Sequence, residues 1–323
     1  MFLATLPIEE AVGHILRHNI ARPDGRRAFA KGHHITATDV PKLRDLGLSE
    51  VRVAILDPSD VHEDIAAKRL AAVVAGSGVL ARPPASSRVN LWAAVDGVLH
   101  VDVQALWRIN AIDGLTIATL PQHRFVRARQ RIATIKIIPF AVPEHDLQQA
   151  VALISPENPV LEVQAVRSMA VGVVLVGSAA VQSRIEESVY PAIASRVQEL
   201  GSHVLAMQYV PSDEQIIADA LLSLRDQGAE LLIVAGETSI MDRDDVTPQG
   251  IRLAGGRIEH YGAPVEPGNL LLLAYLDEIP VLGAPGCVRS RDTNIVDLLL
   301  PRLLAGEHLD RLAIIALGHG GLL

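Results

Sequence analysis

The 323-residue chain holds a single cysteine, Cys287. Disulfide frameworks and thiolate zinc clusters each need several thiols, so both are excluded. One thiol suits a reducing compartment, and the cytoplasm is the expected one. Long apolar runs are also missing: none approaches the roughly 20 residues that span a bilayer. The opening MFLATLPIEE lacks a basic segment followed by an apolar one, so neither a membrane span nor an export leader is expected. The motifs H-E-x-x-H, C-x-x-C and G-x-S-x-G do not occur, which removes the minimal residues of zinc peptidases, thiol oxidoreductases and serine hydrolases. Lysine is scarce too. All four, Lys31, Lys42, Lys68 and Lys136, lie before residue 150, so any anion held by the second half must rely on arginine, backbone amides or a metal ion.

What is present describes a globular chain, with 49% hydrophobic and 20% charged residues. Its length suits two domains at roughly 100–200 residues each. The net charge of −8 argues against nonspecific nucleic-acid binding, which depends on clustered Lys and Arg. That charge is unevenly divided. Residues 1–150 carry 18 Lys plus Arg against 15 Asp plus Glu, whereas residues 151–323 carry 11 against 22.

Patterning divides the chain into an α+β domain, residues 1–155, and an α/β domain, residues 156–323, joined near the proline-containing ISPENPVLEV. In the first, TATDVPKLRDLG reads as a short helix capped by Thr38 and stopped at Gly47. Residues 50–56 form a strand, 66–75 a helix, and LWAAVDGVLHVDV two strands joined by Asp96-Gly97. Gly76-Ser77-Gly78-Val79-Leu80-Ala81 has the spelling of a dinucleotide fingerprint but follows a helical stretch and runs into Arg82-Pro83-Pro84, so no such site is expected. His33 and His34 are neighbours in a polar loop, and His319 lies in a terminal turn. From Ala170 short apolar runs alternate with amphipathic stretches: strands at 171–178, 203–210, 231–236 and 279–286, and helices at 184–200, 213–226, after Val246, and at about 293–304. This is the grammar of parallel strands with crossover helices.

Ligands of open parallel sheets lie beyond the carboxyl ends of the strands, and three segments fall there. Residues 235–250, AGETSIMDRDDVTPQG, crowd Glu237, Thr238, Ser239, Asp242, Asp244 and Asp245 after a central strand. They read either as an Mg²⁺-holding loop or as a solvated loop that caps the following helix. Residues 283–294, GAPGCVRSRDTN, offer two glycines, Arg289, Ser290 and Arg291 before a helix, a phosphate cradle or a tight turn with surface arginines. Cys287 is either a thiol activated there or a small buried filler. Pro267-Gly268-Asn269 forms a turn before an apolar strand. An acidic loop on an α/β domain is also compatible with hydrolysis of a nucleotide or sugar phosphate.

Taken in order over residues 168–306, these motifs resemble the molybdopterin-binding domain of molybdopterin molybdenumtransferases and molybdopterin adenylyltransferases. Ala235-Gly236-Glu237-Thr238-Ser239 stands where the transferases have Ser-Gly-Gly-Val-Ser, and Asp242-Arg243-Asp244 where they have Gly-Asp-Tyr-Asp. Arg243-Asp244-Asp245-Val246-Thr247-Pro248 looks like Arg-Asp-Val-Thr-Pro of the adenylyltransferases with one residue inserted. Pro267-Gly268-Asn269 matches Lys-Pro-Gly-Lys-Pro, and Gly283-Ala284-Pro285-Gly286 matches Gly-Leu-Pro-Gly-Asn-Pro. Gly32-His33-His34-Ile35-Thr36 with Leu46–Val53 is similar to a segment that precedes this domain in the molybdenumtransferases.

The resemblance implies a three-layer α/β/α domain with a mostly parallel sheet, preceded by a smaller α+β domain, in a cytoplasmic homodimer or other homo-oligomer. It implies molybdopterin or its nucleotide form as ligand or substrate, and Mg²⁺. Gly236, Glu237, Thr238, Ser239, Pro267, Gly268, Asn269, Pro285, Gly286, Cys287, Arg289 and Ser290 would bind the ligand. Asp242, Asp244 and Asp245 would hold the metal, with Asp242 and Asp244 catalytic in a transferase. The chain departs from both families: Glu266 and Asn269 replace the lysines flanking the Pro-Gly turn, Val176-Gly177-Ser178-Ala179 replaces Thr-Gly-Asp-Glu, Gln249 replaces an acidic residue, and a Gly-Gly-Thr-Gly loop is missing. Losing two cations and gaining a carboxylate disfavours a molybdate oxyanion. Two functions follow from the resemblance: Mg²⁺-dependent transfer of metal or nucleotide to molybdopterin, or noncatalytic carriage of the cofactor to molybdenum hydroxylase apoenzymes.

Overall fold

The computed structural model describes residues 1–85 and 87–323, which form two compact units, Met1–Gln164 and Ala165–Leu323. No helix among the described residues is long and apolar enough to cross a membrane.

The first unit is α+β. One antiparallel sheet pairs Phe2–Pro7 and Ile15–Leu16 with Glu50–Ile55, over a core of Ile8, Leu16, Ile35, Leu43 and Val53. A second sheet orders Leu115–Thr119, Arg131–Ile137, Arg88–Ala93 and Val79–Ala81. The alternating apolar residues of Arg131–Ile137 meet the Ala66, Leu70 and Val74 face of the helix Glu63–Val74.

Two local expectations need correcting. The helix Val40–Asp45 is entered through Asp39, not Thr38, and the Asp39 carboxylate accepts from the Thr36 amide and hydroxyl and from His33. Asp39 thus organises the preceding turn, while Gly47 closes the helix at φ +78°. The strands Arg88–Ala93 and Gly97–Val101 do not pair with each other; they belong to different sheets. Asp96 instead accepts from the Ala128 amide and from Arg127, and a Cβ on Gly97 would lie 2.3 Å from the Gln164 carbonyl oxygen. Gly97 is glycine because another strand passes against it. After Gly78, Val79–Ala81 forms a strand and no helix opens there.

The second unit is a three-layer α/β/α sandwich. Its six-stranded sheet runs His203–Val210, Ala170–Val176, Leu231–Gly236, Ile279–Gly283, Leu272–Leu276, Arg257–Tyr261. The first four are parallel and the last two pair antiparallel. Strand alternation sends Val171, Val173, Leu175, Leu231 and Ile233 to one face, against Ile185, Ile193, Val197, Ile295 and Leu299. Val174, Val176, Leu232 and Val234 reach the other face, against Ile217, Leu221, Leu224 and Ile251. Burial on both faces explains the near-continuous apolar runs of these strands.

The stretch expected as one helix over 184–200 is two, Gln182–Ser188 and Tyr190–Glu199. Pro191 supplies no N–H to continue the ladder of the first helix and sits in the first turn of the second, where that N–H is not needed. The strand Arg257–Tyr261 has no clear alternation of buried and exposed residues that would mark it in the sequence.

In the first unit a bidentate pair joins the helices Glu63–Val74 and Glu144–Ala152: Arg69 donates to both Glu144 oxygens at 2.6 and 2.7 Å. Arg69, aided by Gln148, draws the Glu144 carboxyl from its ordinary 4.5 down to about 2. Because the folded value is depressed, this contribution is complete above pH 4.5 and is lost as the pH falls towards 2. Glu144→Gln is expected to be less stable than the parent at neutral pH, with the gap closing over that interval; urea midpoints measured at several pH values check it.

Candidate functional site

Sequence order brings the chain from Ala170–Val176 outward to His203–Val210 and then back to Leu231–Gly236 on the other side. This reversal leaves a crevice between adjacent strand ends, the usual ligand position in such sheets. Three connections meet there: Gly177-Ser178, Glu237–Ser239 and Ala284–Arg289. Ser239 Oγ accepts from the Gly286 amide at 3.1 Å, joining the second connection to the third. Ser178 donates to Glu237 Oε2 from its amide at 3.5 Å and its hydroxyl at 3.4 Å, joining the first to the second. A Cβ on Gly286 would sit 2.9 Å from Ser239 Oγ, and one on Gly177 would sit 2.5 Å from the Tyr209 hydroxyl. Both glycines thus make room for these side-chain tips, which would have to shift if a Cβ were added.

Between these connections and the helix Gln182–Ser188 lies a cleft of about 120 Å³ lined by Arg184, Ile185, Ser188, Val189, Gly236, Glu237 and Arg289. Typical small-molecule pockets enclose roughly 300–1,000 Å³, so this cleft is smaller than a site that encloses a whole ligand of that class. Arg289 donates through Nε to the Gly286 carbonyl at 2.8 Å, which fixes its guanidinium over the loop. Arg184 approaches Glu237 at 3.7 Å and is largely exposed. Burial, then the Glu237 charge, raises the pKa of Tyr209, whose hydroxyl donates to the Ser178 carbonyl at 2.8 Å.

Of the sequence-predicted binding residues, Gly236, Glu237 and Arg289 line this cleft, and Ser239 and Gly286 join its walls. Thr238 is exposed at its edge and Pro285 is buried beneath the loop. Ser290 is occupied locally, its hydroxyl donating to Asp292 and accepting from the Asp292 amide. Pro267, Gly268 and Asn269 serve another purpose, abutting the start of the helix Ile295–Leu304. The Pro267 carbonyl accepts from the Ile295 amide, and a Cβ on Gly268, at φ +136°, would meet Ile295 Cγ2 at 2.4 Å. Burial, reinforced by Glu266, pushes the Cys287 thiol up, the reverse of what an activated thiolate needs.

The acidic loop is organised around its own backbone. Asp245 Oδ2 accepts from the Met241 and Asp242 amides at 2.6 and 3.2 Å, and Asp242 Oδ1 accepts from the Asp244 amide at 2.9 Å. Asp244 lies 3.6 Å from Arg252 and accepts from Gln249. Among the described residues, these three carboxylates do not bring one oxygen each within 4.8 Å of one another.

Sequence reading missed Arg184 and Arg196. Arg196 is 7% exposed, and its guanidinium donates to the carbonyls of Val288, Ser290 and Asp292 and to both oxygens of Asp297. It ties the whole Gly286–Asp292 connection to the following helix, whose N-terminus Asn294 and Asp297 close as a capping box. The signal was an arginine between Ile193 and Val197 on the apolar side of its helix. Removing one partner of a buried charge pair costs about 3–5 kcal/mol. Arg196→Ala is expected to lower stability by about 3 kcal/mol in urea denaturation and to speed hydrogen exchange in residues 286–292 more than elsewhere in the unit.

Comparison with known proteins follows the same division. Residues 172–305 match the model of a probable molybdopterin binding domain, and residues 5–55 that of a domain of unknown function (DUF8806). A molybdopterin molybdenumtransferase of Synechococcus elongatus is 30% identical over 124 residues, 38% of this chain; the chain spans about 30% of that relative's length. Among solved structures, the molybdopterin biosynthesis enzyme MoaB of Thermus thermophilus aligns over 43% of this chain and 98% of its own, with 18% identity and a TM-score of 0.33. The molybdopterin biosynthesis MoeA protein of Pyrococcus horikoshii aligns over 94% of this chain and 75% of its own, with 15% identity and a TM-score of 0.33. The second unit is thus similar, over residues 172–305, to the probable molybdopterin binding domain.

Proposed function

We propose that the second unit binds molybdopterin, or its nucleotide form, at the strand-end cleft, and that the chain acts in molybdenum cofactor biosynthesis or maturation by holding and passing on this ligand. The observation that carries the reading is the convergence of Arg289, Arg184, Glu237 and two close-approach glycines at the topological switch point of a domain similar to that one. Molybdopterin joins a pterin, with its planar 2-amino-4-oxo-pyrimidine part, to a phosphate through a dithiolene-bearing segment. Arg289, pre-set by its bond to Gly286, is the donor for the phosphate. Ile185 and Val189 offer apolar walls beside it. No lysine assists in this unit and its charge is strongly negative, so capture of an anion rests on short-range guanidinium contacts and weakens with added salt.

Carriage is favoured over transfer by the acidic loop. A preformed Mg²⁺ site needs convergent oxygens, and Asp242 and Asp245 turn theirs onto loop amides. The residues present do not fit a resident Mg²⁺. Glu266 beside the Pro-Gly turn also leaves molybdate without the cations an oxyanion needs. The recipient implied by this reading is a molybdenum hydroxylase apoenzyme. Transfer remains the second reading, favoured by the exposure of Asp244, 81% of whose side chain faces solvent.

Incubated with molybdopterin, the purified chain is expected to retain the fluorescent pterin through gel filtration without forming a nucleotide adduct or a molybdenum-loaded product. Arg289→Ala is expected to weaken retention by about tenfold or more, with thermal stability unchanged. Absence of retention with and without Mg²⁺ and nucleotide would overturn the binding reading, and turnover abolished by Asp244→Ala would replace carriage by transfer.

A further inference from the structure

Among the described residues, Glu237 is the one acidic side chain lining the cleft, and in this sequence it stands where the resembling transferases have glycine. Its carboxylate is poorly matched by its own protein. Oε1 lies 3.7 Å from Arg184, and Oε2 lies 3.5 and 3.4 Å from the Ser178 amide and hydroxyl. Charge-assisted hydrogen bonds usually close to about 2.7–2.9 Å. With 34% of the side chain exposed, the group is partly desolvated yet keeps acceptor capacity on both oxygens. A phosphate placed against it would meet repulsion at short range, so the Glu237 side of the cleft is unsuited to the anionic end of any ligand. Two parallel N–H donors fit it, because an ionised carboxylate accepts in bidentate fashion.

We infer that Glu237 is a specificity-determining residue that reads the 2-amino-4-oxo-pyrimidine edge of a fused heteroaromatic ring, whose exocyclic amino group and ring N–H both donate to its carboxylate. The inference rests on the molybdopterin reading above and adds the ligand's orientation: ring edge at Glu237, phosphate at Arg289. Arg184, across the carboxylate, offers a planar guanidinium against which such a ring stacks. Ile185 and Val189 complete the apolar surroundings. Gly236 keeps the wall open, since a Cβ there would press to 3.2 Å on the Thr238 and Val176 carbonyl oxygens. The same edge occurs in pterins and in guanine, so the chemistry admits two sources.

The test compares the parent chain with Glu237→Gln, which preserves size but replaces one acceptor by a donor. The probes are molybdopterin, 6-hydroxymethylpterin, the corresponding lumazine lacking the 2-amino group, GMP and inorganic phosphate, followed by pterin fluorescence or calorimetry. The parent is expected to prefer the pterin over the lumazine. Glu237→Gln is expected to lose roughly tenfold or more in affinity for molybdopterin and hydroxymethylpterin, to lose the preference over lumazine, and to hold phosphate as well as or better than the parent. Unchanged pterin affinity in Glu237→Gln, or equal losses for pterin and lumazine, overturns the inference while leaving molybdopterin binding standing. Binding of GMP without molybdopterin, sensitive to the same substitution, supports the edge reading and overturns the molybdopterin reading. Failure of the parent to bind any of the ring-bearing probes overturns both.

Discussion

Parallel pairing puts the carboxyl ends of Ala170–Val176, Leu231–Gly236 and Ile279–Gly283 on one edge of the sheet. Everything proposed for this chain depends on that constraint. Three connections leave the same edge, and glycine at 177 and 286 leaves room for neighbouring side chains while Gly236 sits close to the Thr238 and Val176 carbonyl oxygens. The side chains that these connections carry, Glu237 and Arg289, are brought together by topology although they lie about fifty residues apart in sequence.

The second unit was largely legible because strands buried on both faces announce themselves as unbroken apolar runs; VGVVLVGS, HVLAMQYV and LLIVAG all fall on strands. Helix ends were legible where a cap or a left-handed glycine marks them, as at Asp213 and Gly201. What failed was long-range. Asp96-Gly97 has the composition of a hairpin turn, but its two strands enter different sheets, and only the contact of Gly97 with Gln164 explains the glycine. Within the candidate site, residue types identified Glu237, Ser239, Gly286 and Arg289. They could not show that the aspartates of the neighbouring loop fold onto their own amides, since the spelling is the same whether a carboxylate faces outward or caps a turn.

The uneven charge gains a local meaning in this setting. The second half carries twice as many acidic as basic residues, yet Arg184, Arg196 and Arg289 all gather near one cleft or the loop beside it. Arg196 is fully engaged with carbonyls and Asp297, so it is absorbed in building the site. Arg184 and Arg289 remain on the wall of the cleft, and in the proposed reading Glu237 gives its two ends opposite preferences.

The clamp at Arg196 has a kinetic side. A connection tethered at three carbonyls before any ligand arrives has already surrendered its backbone freedom during folding. Encounter with an anion then demands no further ordering of that segment, which preserves affinity and leaves the approach itself to set the association rate. Under the carriage proposed above, a rigid rim of this kind shifts control of residence time to the few contacts the ligand itself makes.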